Sequence, residues 1–365
     1  MTGRGIDQIL PHPGSPLLHE SCVRDAREYV RLVEKARGRF HRPVAFEYIW
    51  GDALAELARV DPALRIVNLE TTITTSDDAA DKEVLYRMHP RNVGCLVTAG
   101  IDCCCLANNH VLDWGQAGLV ETLRTLDAAG IARAGAGFTA QEAAAPAVLE
   151  AGVGVRVWIH AWGSPGSGIP TGWAARDDRP GVNLLPDLSA ETAERIARGA
   201  RGSKRSGDIV IVSIHWGPNW SYDIPADQVR FAHRLVDGGV DVVHGHSSHH
   251  AKTIEKYGSG LILYGCGDFV TDYEGIGGCE EFRGDLAVMY LLTFAGPRPP
   301  AAQDADASST GRLVESRMVV FRAQQLQLRR APPADVEWLR ERLNTCGRRF
   351  GTKVVRESDD TLIVA

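Results

Sequence analysis

Ile101-Asp102-Cys103-Cys104-Cys105-Leu106-Ala107-Asn108-Asn109-His110-Val111-Leu112-Asp113 decides the fold. Its first half is an apolar run that reads as a buried strand, Ile101 to Ala107. Its second half places an amide, an imidazole and a carboxylate where that strand ends. Gly115 to Gly130 follows with helical periodicity and stops at a glycine, and Ile131 to Ala136 returns as a short strand. Strand, helix and strand make one βαβ unit, and in open α/β sheets ligands bind beyond the carboxyl ends of the strands. An isolated Asn-His pair in a loop is more often a turn with a satisfied imidazole than a site. The reading therefore needs support from elsewhere in the chain.

Two further segments repeat the arrangement. Ile209 to Ile214 runs into His215-Trp216-Gly217, and Val240 to Val243 runs into His244-Gly245-His246-Ser247-Ser248-His249-His250. His215 beside Trp216 reads equally well as a strand-end histidine packed on an aromatic ring. Imidazoles as dense as His244, His246, His249 and His250 are costly to bury without a ligand. Three apolar strands that each end in histidine together point to a metal site.

The rest of the chain alternates in the same way. Ser21 to Arg39, Gly51 to Val60, Ser189 to Gly199, Pro225 to Gly238 and Pro333 to Cys346 have helical patterns. Leu64 to Asn68, Leu286 to Phe294, Leu313 to Phe321 and Thr361 to Val364 read as strands. Val148 to Ala161 and Ile254 to Tyr264 read as hairpins turning at Ala151-Gly152 and Gly258-Ser259-Gly260. No internal repeat is visible. One main domain is expected over residues 1–295, with a flexible Pro/Ala/Asp/Ser loop at 296–311 and a strand and helix extension at 312–365 that completes it.

Composition excludes several classes. The chain has 365 residues, 44% hydrophobic and 24% charged, with a net charge of -6. That is an ordinary globular composition with no electrostatic footprint for nucleic acid or anionic membrane. Eight cysteines are present without a CxxC pair. Cys103, Cys104 and Cys105 are consecutive in a strand, so they read as small buried hydrophobes in a reducing compartment. No secretory leader pattern and no run long enough for a membrane anchor occurs, so a cytoplasmic location is expected.

The chain resembles the CapA-like family, named for capsule polyglutamate synthesis and related to the calcineurin-like metallophosphatases. The motifs that carry the resemblance are Asn68-Leu69-Glu70-Thr71, Tyr86-Arg87-Met88-His89-Pro90, Asn108-Asn109-His110 with Asp113 and Gly115, His215-Trp216-Gly217, Gly245-His246 with His249, Tyr264-Gly265-Cys266-Gly267-Asp268-Phe269, and Glu281-Phe282-Arg283-Gly284-Asp285. It implies an α/β calcineurin-like metallophosphatase fold, with layered mixed β-sheets flanked by helices. It implies metal ligands at Glu70, Asn109, His215, His246 and His249. His110 would transfer protons with Asp113 orienting it, and His246, His249 and Asp268 complete the candidate catalytic set. Asp272 is a further carboxylate candidate. Arg87 and Arg283 would clamp a substrate carboxylate, a role weighed against ordinary salt bridges, and His89 and Trp216 are further substrate-binding candidates. The family also implies a first strand ending in Gly-Asp ahead of Met1; we expect the natural start to lie upstream, because deleting a central strand would expose the core on both flanks.

Such a ligand set suits Zn, Mn or Fe, and its oxygen donors also suit Ca. The chain lacks the Asp-x-His and Gly-Asp-x-x-Asp motifs of ordinary metallophosphatases. The resemblance extends to the soluble lasso-peptide epimerases. We therefore expect a metal-dependent acid/base enzyme acting on a peptide, most specifically by Cα epimerisation of its C-terminal residue. In that scheme His110 and one of His89, His244 or His250 serve opposite faces of the Cα. The alternatives are a metallophosphoesterase and a polyglutamate-handling component of capsule assembly.

Overall fold

The structure is a computed structural model and describes residues 1–21, 23–202, 204–296 and 311–365. Of the loop expected at 296–311, residues 297–310 lie outside the described residues. The chain begins with α1 (Gly5–Ile9), α2 (Arg27–Arg37) and α3 (Asp52–Val60), then β1 (Ile66–Asn68), β2 (Thr72–Ile73), β3 (Arg87–Met88), α4 (Gly94–Thr98) and β4 (Cys103–Cys105). Next come α5 (Gly115–Ala128), β5 (Ala132–Ala134), β6 (Ala136–Gly137), α6 (Ala140–Ala144), β7 (Ala147–Glu150), β8 (Arg156–Gly163) and β9 (Gly181–Val182). The central part holds α7 (Ala190–Gly202), β10 (Ile209–His215), α8 (Ala226–Asp237), β11 (Val242–His246), β12 (Ile254–Tyr257) and β13 (Gly260–Leu263). The last part holds β14 (Leu286–Phe294), β15 (Leu313–Gln324), β16 (Gln327–Arg330), α9 (Pro333–Gly347), β17 (Val354–Arg356) and β18 (Leu362–Val364).

Two sheets packed face to face form the centre. One is parallel, in the order β1-β4-β5. The other has the order β12-β13-β11-β10-β8-β7, with a parallel middle and antiparallel edges. Strand alternation explains the three consecutive cysteines. Cys103 and Cys105 face the second sheet and pack with Ala134, Ile159 and Ala161, whereas Cys104 faces the opposite way, into the core shared with Leu119 and Leu123 of α5. The outer face of the larger sheet is covered by α7 and α8 through Ile196, Phe231 and Leu235. The order of layers is thus helix, sheet, sheet, helix, an α/β architecture with mixed sheets.

A third sheet, β14-β15-β18-β17 with β16 on β15, joins residues before and after the 297–310 segment. It packs with α9 and with Ile254 and Leu261 of the β12–β13 hairpin. Among the described residues β1 and β14 each carry a partner on one side only, and a cavity of about 720 Å³ lies between them. Among the described residues no helix is long and apolar enough to cross a membrane.

Several element ends differ from the sequence reading. The helix expected from Ser21 starts at Arg27, because Leu17 and Asp25 form a bridge and the Asp25 carboxylate accepts the Arg27 N–H at 2.9 Å. It ends at Gly38, whose φ of 87° ends the helix. The strand expected to stop at Val243 continues to His246, since His244, Gly245 and His246 pair in register with Ser213, Ile214 and His215. β16, β17 and the two-residue strands escaped the sequence reading.

Gly245 is what allows β11 to run so far. A Cβ there would lie 2.5 Å from the Leu263 carbonyl oxygen and 2.7 Å from the Trp216 indole nitrogen. We predict that Gly245→Ala lowers stability by about 1–3 kcal/mol, measured by urea or thermal unfolding. An unchanged midpoint would contradict this close packing.

Candidate active site

The site forms where β1, β4, β10 and β11 reach their carboxyl ends. Past Asn68 the chain leaves β1 and brings the Glu70 carboxylate inside, where the residue is 6% exposed. A relay of amides holds it. The Asn68 side chain donates to Glu70 Oε2 at 2.9 Å, Asn108 donates to Asn68 Oδ1 at 3.0 Å and to the Leu69 carbonyl at 2.9 Å, and the His110 N–H donates to Asn108 Oδ1 at 3.0 Å. The loop after β4 is thereby locked to the loop after β1.

His110 is paired as expected. Its Nδ1 lies 2.6 Å from Asp113 Oδ2, and its Nε2 lies 4.0 Å from Glu70 Oε1. Asp113 is fully buried and also accepts from the Tyr86 N–H at 2.7 Å and from Lys82 Nζ at 2.6 Å. Lys82 donates as well to the Asn109 carbonyl. Three donors around one carboxylate fix its orientation, and so fix the imidazole it holds.

On the larger sheet, His215 Nε2 approaches Asn109 Oδ1 at 3.0 Å and Glu70 Oε1 at 3.9 Å. Parallel register sets His215 beside His246, with the two Nδ1 atoms 2.7 Å apart. Ser213 Oγ meets His246 Nε2 at 2.9 Å and His244 Nδ1 at 3.0 Å. After β11 the chain turns through Ser247, a non-glycine residue at φ 111°, and such strain is concentrated at functional sites. It delivers His249, whose Nδ1 lies 3.1 Å from both oxygens of Asp268. The Tyr273 hydroxyl stands 3.5 Å from His249 Nε2 and accepts from the Tyr86 hydroxyl at 2.9 Å. Tyr86 in turn presents its edge to His110, with ring centroids 4.5 Å apart.

The charge states follow from burial and neighbours. Burial pushes the Glu70 carboxyl up, but the imidazoles of His215, His110 and His249 outweigh it and leave the group below the usual carboxylate range. Burial pushes His215 down to about 4, with Glu70 opposing. It pushes His246 well below the usual imidazole value, helped by His215 and His244. For His249 burial is outweighed by Asp268 and Glu70, which raise it. At neutral pH the site is therefore an ionised carboxylate beside two neutral rings that keep a lone pair for a ligand. Glu70, Asn109, His215 and His246 offer oxygen and neutral nitrogen donors, a set that fits a divalent ion, which His249 joins only with its proton released. Among the described residues no three His, Cys, Asp or Glu side chains already enclose an ion position; the rings hydrogen-bond one another instead.

Other expected residues lie elsewhere. Arg87 is held by the Ser76 carbonyl at 2.6 Å and Asp77 at 2.8 Å and lies over the Trp114 ring. Arg283 is engaged by Asp285 and Asp335. Neither guanidinium is free to clamp a substrate, and the salt-bridge alternative holds for both. His89 Nδ1 accepts from the Arg91 N–H and its backbone N–H goes to Asp7, so it caps a short helix. Trp216 is buried, donates to the Tyr264 carbonyl and packs on Phe231. Asp272 pairs with Arg4 through both oxygens. His250 is stacked on Trp220, and His244 is held by Ser213. The histidine that joins His110 around Glu70 with its own carboxylate is His249. The sequence reading missed Lys82 and Tyr273; Lys82 lies in a polar loop without periodicity, and Tyr273 lies between the motif that ends at Phe269 and the one that begins at Glu281.

Buried neutral imidazoles make stability depend on pH. His160 and His250, like His215, are pushed down to about 4 by burial. A free imidazole binds its proton near 6.5, so between about 6.5 and 4 the unfolded chain takes up protons that the folded chain refuses. Stability is therefore lost as pH falls through that window, by at most ~1.4 kcal/mol per pH unit for each group. Glu70 acts in the same direction as it protonates. His249, raised by Asp268, contributes fully below its unfolded value and adds no slope. We predict a falling unfolding midpoint from pH 6.5 to 4 and a shallower fall for His160→Gln; a flat profile would contradict the buried neutral rings.

Comparison with known proteins places the chain in a family. The model of a family described as bacterial capsule synthesis protein PGA_cap matches residues 1–273. The chain is 46% identical over 366 residues to a probable polyglutamine synthesis accessory protein of Mycobacterium tuberculosis, spanning 100% of this chain and 93% of that protein. It is 30% identical over 227 residues to the PGA biosynthesis protein CapA of Bacillus subtilis, covering 62% of this chain and 56% of that one. With the capsule biosynthesis protein CapA of Bacillus anthracis it shares 28% over 214 residues, 58% of this chain and 49% of that protein. Glu70, the Asn109-His110 loop, His215, His246, His249 and Asp268 all lie within the matched span, and the chain belongs to the PGA_cap, or CapA-like, family.

Proposed function

We propose that this chain is a metal-dependent acid/base enzyme acting on a glutamine- or glutamate-containing chain during polymer synthesis. The observation that carries this reading is the convergence of two imidazole–carboxylate pairs, His110–Asp113 and His249–Asp268, on the buried Glu70. The relatives' names support the substrate class and point to a glutamyl polymer in place of a lasso peptide. We read the layered sheets as the calcineurin-like metallophosphatase arrangement that the resemblance implies.

With His249 kept for proton transfer, Glu70, Asn109, His215 and His246 would hold the divalent ion. When bound, it supplies Lewis-acid polarisation of a substrate oxygen. His110 moves a proton at Nε2, with its Nδ1 anchored on Asp113, and Lys82 holds that carboxylate in place. His249, carrying its proton with Asp268 behind it, serves as the acid partner. Two proton-transfer groups suit inversion at a peptide Cα. The adjacency of the amide Asn109 and the proton carrier His110 supports a second reading, phosphoester hydrolysis.

The test incubates the protein with poly-γ-glutamate and with a glutamine peptide in D2O, with Mn or Zn present. Cα deuterium marks inversion, and phosphate release from an aryl phosphate marks hydrolysis. We predict that a chelator abolishes turnover, that the metal restores it, and that His110→Ala lowers it by about 10²- to 10⁴-fold. Absence of both products with metal bound would refute an enzymatic role. Metal titration followed by calorimetry, with weaker binding expected for Asn109→Ala, checks the ligand set without reference to turnover.

A further inference from the structure

Two half-buried tryptophans, Trp173 and Trp220, border the site without belonging to the constellation of donors and proton carriers. Trp173 stands on the segment after β8, which is tied to the site by two bonds. The Ser164 N–H and the Ser167 Oγ both donate to the His215 carbonyl, at 2.8 and 3.0 Å. Gly168 of the same segment passes so near Asn109 that a Cβ on it would lie 3.6 Å from the Asn109 side-chain nitrogen. The Trp173 ring meets Lys82, whose Nζ lies 5.2 Å from the ring centroid and 3.4 Å from His110 Nδ1.

Trp220 takes the matching place beside the second pair. It stands on the loop after β10, where the Asn219 carbonyl accepts from the His249 N–H at 3.0 Å. Its ring lies 5.3 Å from that of His249 and 6.4 Å from that of Tyr273, and it packs on Phe282 and stacks on His250. A Cβ at Gly284 would stand 3.0 Å from Trp220 Cη2, so the backbone closes on the ring there. Each proton-transfer pair thus has one tryptophan at its edge, fixed by backbone bonds to a residue of the site. Such rings offer flat apolar faces, at low entropy cost, to a chain that crosses the site.

Charge around the rings narrows which chain that is. Asp81 and Glu83 flank Lys82, Asp177 and Asp178 follow Trp173, and Glu280 and Glu281 precede Phe282; all of them are exposed. Of the cations in those segments, Lys82 is bound to Asp113, Arg283 to Asp285 and Arg179 to the Gly172 carbonyl, which leaves Arg176. A polymer with a carboxylate on every residue would approach against this field, which reaches about 10 Å in 0.1 M salt. A polymer of neutral amides would meet no such opposition.

We propose that Trp173 and Trp220 are the substrate-positioning rings of the site, and that the chain they seat carries uncharged amide side chains, as glutamine does, in place of free carboxylates. This rests on the reading that the site takes a glutamine- or glutamate-containing chain, and it selects between the two.

The test is calorimetric binding of capped hexaglutamine and capped hexaglutamate to the full chain at neutral pH and low salt, with no turnover required. The proposal expects the glutamine peptide to bind at least about tenfold more tightly. It expects Trp173→Ala and Trp220→Ala each to weaken that binding by about fivefold or more, with Trp173→Phe and Trp220→Phe retaining it, which separates a lost ring from a lost fold. Replacing Asp177 and Asp178 by Asn, or Glu280 and Glu281 by Gln, strengthens hexaglutamate binding and leaves hexaglutamine unchanged. Equal or tighter binding of hexaglutamate overturns the proposal, as does unchanged binding in both alanine variants, and either result leaves the reading of a glutamyl chain standing. Binding of neither peptide overturns that reading and this proposal together.

Discussion

Glu70 is an ionised carboxylate almost shut off from water, and much of the surrounding structure answers the cost of placing it there. Removing a charge from water is tolerated only when hydrogen bonds and opposite charge replace the solvent. Here the Asn68 amide supplies the direct bond, Asn108 fixes that amide, and His249, raised by Asp268 and by Glu70 itself, is the favourably charged neighbour. The same contacts tie the loop after β1 to the loop after β4, so the electrostatic solution is also the joint between two strand ends. Behind it, Arg4 pairs with Asp272 and lies over the Tyr86 ring, giving the Tyr86–Tyr273 pair a rigid backing.

Much of this was legible in the chain because strand ends carry their own signature. The βαβ unit around Cys103–Cys105, the helix at Gly115 and the strand ending at His215 all follow from periodicity and glycine placement. The extent of β11 was not legible, since a strand that continues through His244-Gly245-His246 is defined by its neighbour's register and not by its own apolar pattern. Arg87 and Arg283 show a second limit. Each looks like a free cation in sequence, and each is satisfied in space by an acidic residue whose proximity no local pattern announces. Lys82 is the converse case, an unremarkable loop residue that folding brings onto Asp113.

The two histidine–carboxylate pairs differ in how they are built. His110 and Asp113 sit within one turn of chain, so their geometry is local and visible as a motif. His249 and Asp268 come from separate loops and meet only because the β12–β13 hairpin folds back between them. His89, His244 and His250, expected opposite His110, are engaged with Arg91, Ser213 and Trp220 instead, and spacing along the chain carries no information about which histidine the hairpin brings home.

The layer between the two central sheets is rich in small side chains, Cys103, Cys105, Ala107, Ala134 and Ala161, packed with Val157 and Ile159. Glu70 and Asn109 hang from one sheet and His215 and His246 from the other, so the thickness of that layer acts as a caliper for the gap between oxygen and nitrogen donors. A bulkier residue lower in that layer, at Cys103 or Ala134, would open the jaws of the caliper without replacing a single donor. Cys103 and Cys105 thus set a dimension of the chemistry, not only the packing of a core.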